Sequence, residues 1–105
     1  MKEFPSNGAK LQDYEAFIAV VDSGNLTRAA TRLRRSLQSV SRSLSALEAQ
    51  LGVVLIRRTT RTAQPTAAGL AFHRRVSAAL REVALAEAEL SDTSETLRGT
   101  LRMLV

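Results

Sequence analysis

At 105 residues the chain is about one domain long. Its 45% apolar residues suffice for a core, but aromatic residues make up only 4%. A net charge of +5 points towards an anionic partner, and the lack of cysteine excludes disulfides and thiolate metal sites and suits a reducing, cytoplasmic setting. The opening MKEFPSNGAK has no apolar stretch of the kind a secretory signal needs. FIAVV and LGVVLI, the longest uncharged apolar runs, are too short to cross a bilayer, so no membrane partner is expected.

The charge is unevenly placed. Between Arg28 and Arg81 lie eleven basic residues and one acid, Glu48; between Glu82 and Glu95 lie five acids and no base. Thirteen of the fifteen basic residues are arginine, whose planar fork suits phosphates and guanine edges. A solvated basic face would carry such a run too, but ten net positive charges on half a small domain repel one another, which favours an anionic partner.

In chain order, Leu11, Tyr14, Phe17, Ile18 and Val21 recur at helical spacing, and Ser23-Gly24 ends that first helix. Asn25 is placed to cap a second helix, which buries Leu26, Ala29, Ala30 and Leu33 and shows Arg28 and Arg32 to water. Arg34-Arg35 makes a short turn, and Ser36 caps a third helix. There Val40, Leu44, Leu47 and Leu51 line one face. Opposite them lie Gln38, Ser41, Arg42, Ser45 and Ala49. Serine is a poor helix former, and a face meant only for water carries Glu and Lys instead. Short polar side chains there make sense if something approaches closely. Helix, tight turn and a helix with a small polar leading face is the helix-turn-helix plan, whose second helix enters the DNA major groove. An ordinary amphipathic bundle is the competing reading of the same pattern.

Gly52 ends the third helix. Val53 to Ile56 and Thr59 to Gln64 lack helical periodicity and suit a two-stranded ribbon carrying Arg57, Arg58 and Arg61. Such a wing can place arginine in the minor groove or on phosphates. Thr66 is placed to cap a long fourth helix, in which Phe72, Val76, Ala79, Val83, Ala86 and Leu90 step 4-3-4-3-4 as a coiled-coil seam, with Leu80 broadening the stripe. Such a seam pairs with a second copy of itself or folds back on its own domain. The final LRMLV alternates like a strand and reads as the start of a further domain. The expected class is therefore mainly α: a winged helix-turn-helix over residues 1–66, built of three helices and a two-stranded wing, a linker and dimerisation helix over 67–95, and the start of another domain over 96–105.

Catalysis finds little support. His73 sits beside Phe72 without an evident acid or nucleophile, and no Gly-rich phosphate loop or metal-ligand cluster is present. Single-stranded RNA binding needs aromatic stacking platforms; Tyr14, Phe17 and Phe72 lie on buried-looking stripes, leaving Phe4 uncommitted. A membrane-surface helix is opposed by the acidic half of the fourth helix. A helical protein–protein module is the alternative function.

The stretch from LQDYEAFIAVVDSGNLTRAATRL through SLQSVSRSLSALEAQLGVVLIRRTTRTAQPTAAG resembles the N-terminal domain of the LysR-type transcriptional regulators, from Leu11 to Gly69 and loosely through the linker helix. The marks are the F-x-A-V opening with L-T-R-A-A, the V-S-R-x-L-x-x-L-E-x-x-L-G-V-x-L helix, the R-T-x-R wing and the P-T-x-A-G start of the linker helix. GTLRMLV is similar to the first strand of the family's effector-binding domain. The resemblance implies sequence-specific binding to double-stranded DNA as a homodimer joined through the linker helix, with tetramers open to the full-length protein. It places Thr27 and Arg28 on the phosphate backbone. Ser36, Gln38, Ser39, Ser41 and Arg42 fall at the groove-facing start of the recognition helix. Arg57, Arg58, Thr59 and Arg61 fall in the wing, with Arg61 at the minor groove. No cofactor is implied for these residues, and a small-molecule effector belongs to the C-terminal domain. Two positions depart from the pattern: Leu37 stands where glutamine is usual, and Ala67 where an acid commonly follows the capping threonine.

Overall fold

A computed structural model describes the backbone of residues 10–59 and 61–104, and side chains as far as Asp92. The order of elements is α1 (Leu11–Ser23), α2 (Leu26–Leu33), α3 (Leu37–Leu51), β1 (Ile56–Arg58), β2 (Ala63–Pro65) and α4 (Ala67–Leu104). Phe4 lies outside the described residues.

The helix ends follow from capping chemistry. The Asn25 side chain accepts from the Arg28 amide at 2.7 Å, and Ser36 Oγ accepts from the Ser39 amide at 3.1 Å; each satisfies a donor that the first turn leaves unpaired. Gly24 and Gly52 close α1 and α3 in the left-handed conformation, at φ 78° and 68°. Arg34 does the same for α2 at φ 56°, a side-chain-bearing residue where glycine is usual. Its amide donates to the carbonyl of Thr31, and the next amide, of Arg35, to that of Ala30.

The core fills the angle between α1, α2 and α3. Phe17, Val20, Val40, Leu44 and Leu47 are fully buried, joined by Ala16, Ala29 and the wing residues Leu55, Ile56 and Ala63. The apolar stripes read from the sequence therefore do meet, except that Leu11 and Leu51 stay exposed. The wing is a two-stranded antiparallel sheet with Arg57 opposite Gln64 and Arg58 opposite Ala63. Its strands are shorter than the sequence suggests. Val53 and Val54 are an exposed connection, because the amides of Leu55 and Ile56 both donate to Glu48 Oε2, at 2.7 and 3.1 Å, as the chain leaves α3. Thr59 and Thr62 form the tip, bonded amide to carbonyl at 2.8 Å. The Ala63 amide ties the ribbon back to the Gly24 carbonyl at 2.9 Å.

Thr66 caps α4, its Oγ1 accepting from the Gly69 amide at 3.0 Å while donating to the Val54 carbonyl at 2.8 Å. The first turns of α4 lie on α1. Phe72 packs against Phe17 and Tyr14 with ring centroids 5.6 and 6.3 Å apart, and His73 Nε2 meets Asp22 Oδ1 at 2.8 Å. Phe72 thus packs against the protomer's own core while part of it stays exposed; a regular heptad cannot show where the domain stops. From Arg81 to Asp92 every residue of α4 is exposed. The helix runs to Leu104 instead of stopping near residue 95, so the segment that alternates like a strand is helical over Leu101–Leu104. A strand needs a pairing partner for its backbone, whereas a helix closes its hydrogen bonds locally, and Leu, Arg and Met are good helix formers.

Candidate nucleic-acid interface

Three elements converge on one surface: the N-terminus of α2, the outward face of α3 and the wing. Gln38, Arg42 and Ser45 are exposed on α3 and Ser41 is half-buried. They are held outward because Val40, Leu44 and Leu47 on the opposite side are fully buried. The wing meets this face through Arg58, whose guanidinium donates to Ser41 Oγ at 2.9 Å. Thr27, Leu37, Ser41, Arg58, Thr59 and Arg61 line one shallow groove between helix and wing. Leu37, Gln38, Ser41, Arg42 and Ser45 line a second, on the far side of the same helix face. Among the described residues no acid lines either groove. Side chains here are short hydroxyls, two amides, two leucines and arginines, a set that can donate to phosphates and base edges while letting a duplex approach.

Some of the residues singled out from sequence serve elsewhere. Ser36 spends its hydroxyl on the cap of α3. Ser39 is half-buried, and its hydroxyl accepts from Arg35 Nε at 2.9 Å. Arg28 and Arg57 are exposed but line neither groove, and the Arg28 amide is engaged by Asn25.

Sequence reasoning missed two residues that position the surface. Arg35 is more than a turn residue. Besides Ser39 Oγ it donates to the Ser39 carbonyl at 3.0 Å, to Ser43 Oγ at 2.6 Å and to the Gln12 carbonyl of α1 at 3.1 Å. The signal was present in the spacing, since Ser39 and Ser43 follow Arg35 by one and two helical turns. Glu48, the one acid in the basic stretch, holds the start of the wing by its two amides. His73 joins α4 to α1 through Asp22, which also lies 3.8 Å from Arg32, and among the described residues no cluster of metal-ligating side chains is present. No described helix is long and apolar enough to cross a membrane.

The comparisons agree with this geometry. The profile of the bacterial regulatory helix-turn-helix proteins of the lysR family matches residues 11–70. Over 92 residues the chain is 39% identical to the HTH-type transcriptional regulator CrgA of Neisseria meningitidis, covering 88% of this chain and 31% of that protein. Over 94 residues it is 35% identical to the transcriptional activator AaeR of Escherichia coli, covering 90% of this chain and 30% of that one. The chain thus spans about a third of the length of these relatives. Among solved structures, the DNA-binding domain of CbnR in complex with DNA superposes with a TM-score of 0.72 at 39% identity, over 81% of this chain and 97% of that one. The BenM DNA-binding domain bound to its catB site gives 0.75 at 28% identity, over 78% and 91%. Fold, capped helices, wing and sequence agree: this chain belongs to the LysR family of bacterial helix-turn-helix regulators.

Proposed function

We propose that the chain is the DNA-binding part of a cytoplasmic transcriptional regulator and binds a specific double-stranded sequence as a homodimer. In this reading α3 enters the major groove with Gln38, Ser41 and Arg42 towards base edges. Thr27, Arg28, Arg57 and Thr59 take phosphates, and Arg61 at the wing tip reaches the minor groove. Val76, Ala79, Val83, Ala86 and Leu90 of α4 meet a second copy. A small-molecule effector acts on a further domain, and these residues carry no cofactor or catalysis. The single observation that carries the reading is the acid-free polar face of α3, joined to an arginine-bearing wing by the Arg58–Ser41 bond. The DNA-bound state of the CbnR and BenM relatives supports it.

A mobility-shift assay with genomic fragments and random competitor DNA tests it. Binding should weaken linearly in log–log against salt, with a slope of about −0.9 per phosphate neutralised. Arg42→Ala should lower affinity for the selected duplex about 10- to 100-fold and affinity for random duplex much less. Equal losses on both would remove Arg42 from base reading. No shift at low salt would overturn the proposal in favour of a protein–protein module.

A further inference from the structure

The recognition face holds one side chain that the hydrogen-bonding account leaves unused. Leu37 is the first residue of α3 and is 45% exposed. The other large exposed apolar residues lie on α1, at the far end of α3, in the connection to the wing, or along α4. Leu37 alone lies among the groups that face outward: it borders both shallow grooves, with Ser41 and Arg58 on one side and Gln38 and Arg42 on the other. It is not a member of the buried cluster, so burial in the core does not account for an apolar residue there. The Ser36 cap holds the first turn of α3 in place, and with it the direction of the Leu37 stem. Leucine offers neither donor nor acceptor. The only apolar group that a base pair presents in the major groove is the C5-methyl of thymine, or the same methyl on 5-methylcytosine.

Resting on the DNA-binding reading above, we propose that Leu37 reads the C5-methyl group of one pyrimidine in each half-site. Burying one methyl against a leucine changes affinity about fourfold per contact. That gain requires a fixed helix end, because a mobile side chain would lose it to ordering entropy.

The test uses this chain and the duplex enriched from genomic fragments by selection with it, read by fluorescence anisotropy. Thymines are replaced one at a time by deoxyuridine, which removes the methyl and keeps every hydrogen-bonding group. We expect one position per half-site where affinity falls about fourfold, and no fall at that position for Leu37→Ala. Cytosine in place of that thymine, compared with 5-methylcytosine, separates the two sources of the methyl. Tighter binding of the methylated base by wild type, lost in Leu37→Ala, means that the methyl is read whichever base bears it. Equal binding of the two restricts the contact to thymine. Indifference to deoxyuridine at every position overturns the proposal, as does an equal loss in Leu37→Ala. Absence of binding to any duplex at low salt would instead overturn the DNA-binding reading itself. The exposed position and the helix propensity of alanine keep the variant folded, and the uridine scan on wild type decides even without it.

Discussion

Arg35 shows how a charge in a basic stretch can be spent inside the protein. Its guanidinium makes four hydrogen bonds, three to Ser39 and Ser43 on α3 and one to the Gln12 carbonyl on α1. It therefore locks the recognition helix to the helix behind it. Ser43 is buried, so truncating Arg35 leaves its hydroxyl without this donor. Hydrogen bonds to a charged group are worth about 1.5–3 kcal/mol each where buried, and this group is partly solvated, which reduces the sum. Arg35→Ala should lower unfolding stability by about 2 kcal/mol, read as a shifted urea midpoint by circular dichroism. Arg35→Lys should recover little of it, because a point charge cannot span four acceptors on two helices. Full recovery by lysine would mean that the charge matters and the fork does not. From the sequence Arg35 reads only as part of a short turn. Its two partners, at one and two helical turns, separate it from Arg42, which is exposed on the same helix as those partners and makes no such pair of bonds among the described residues.

Elements meet most tightly where the wing passes under α4. A Cβ built on Gly69 would lie 2.0 Å from the Leu55 carbonyl oxygen, and that oxygen already accepts from the Thr66 amide at 2.9 Å. Two terms oppose each other in Gly69→Ala. Helix propensity favours alanine by about 0.8–1 kcal/mol. Overpacking costs about 1–3 kcal/mol, and here the obstacle is backbone and cannot rotate away, so the cost lies towards the upper end. The net effect should be a loss of about 2 kcal/mol in a thermal melt, with weaker DNA binding as the wing is pushed off its support; a rise in melting temperature would show that the junction yields freely. The sequence made the helices, their caps and the wing legible because capping and periodicity are local. It did not reveal why glycine belongs at position 69, nor that Glu48 fixes the start of the wing, because both depend on elements brought together only in the fold. LRMLV, residues 101–105, reads as strand-like, yet residues 101–104 are helical for the converse reason: a local alternation was read without the pairing partner that would make it a strand.

On the scale of the whole molecule, α4 divides into a docked and an undocked part. Phe72 and His73 hold its start against α1. Beyond them Val83 is 51% exposed and Leu90 70%, on a helix whose length accounts for most of the 62 Å long axis. An isolated helical arm gains no tertiary packing, and helical stability in proteins comes chiefly from such packing. In the proposed dimer a second copy would supply it by covering the same stripe. Charge favours one orientation. Arg74, Arg75 and Arg81 lie towards the start of the helix and Glu82, Glu87, Glu89 and Asp92 further on, so antiparallel copies set opposite charges side by side, whereas parallel copies set like against like. Val83 lies just past the point where basic residues give way to acidic ones, directly after Glu82, and on the apolar seam. Val83→Lys puts a cation into the seam of each copy with no acid facing it inside, and should give monomers in sedimentation velocity at concentrations where the wild type is a dimer. The protomer fold does not involve Val83, so its circular dichroism should lose only the part of α4 that the partner supports. Affinity for a duplex with two half-sites should fall steeply, towards that for a single half-site, because the second binding event is no longer intramolecular. An unchanged sedimentation coefficient in Val83→Lys would place the contact between copies somewhere other than this seam.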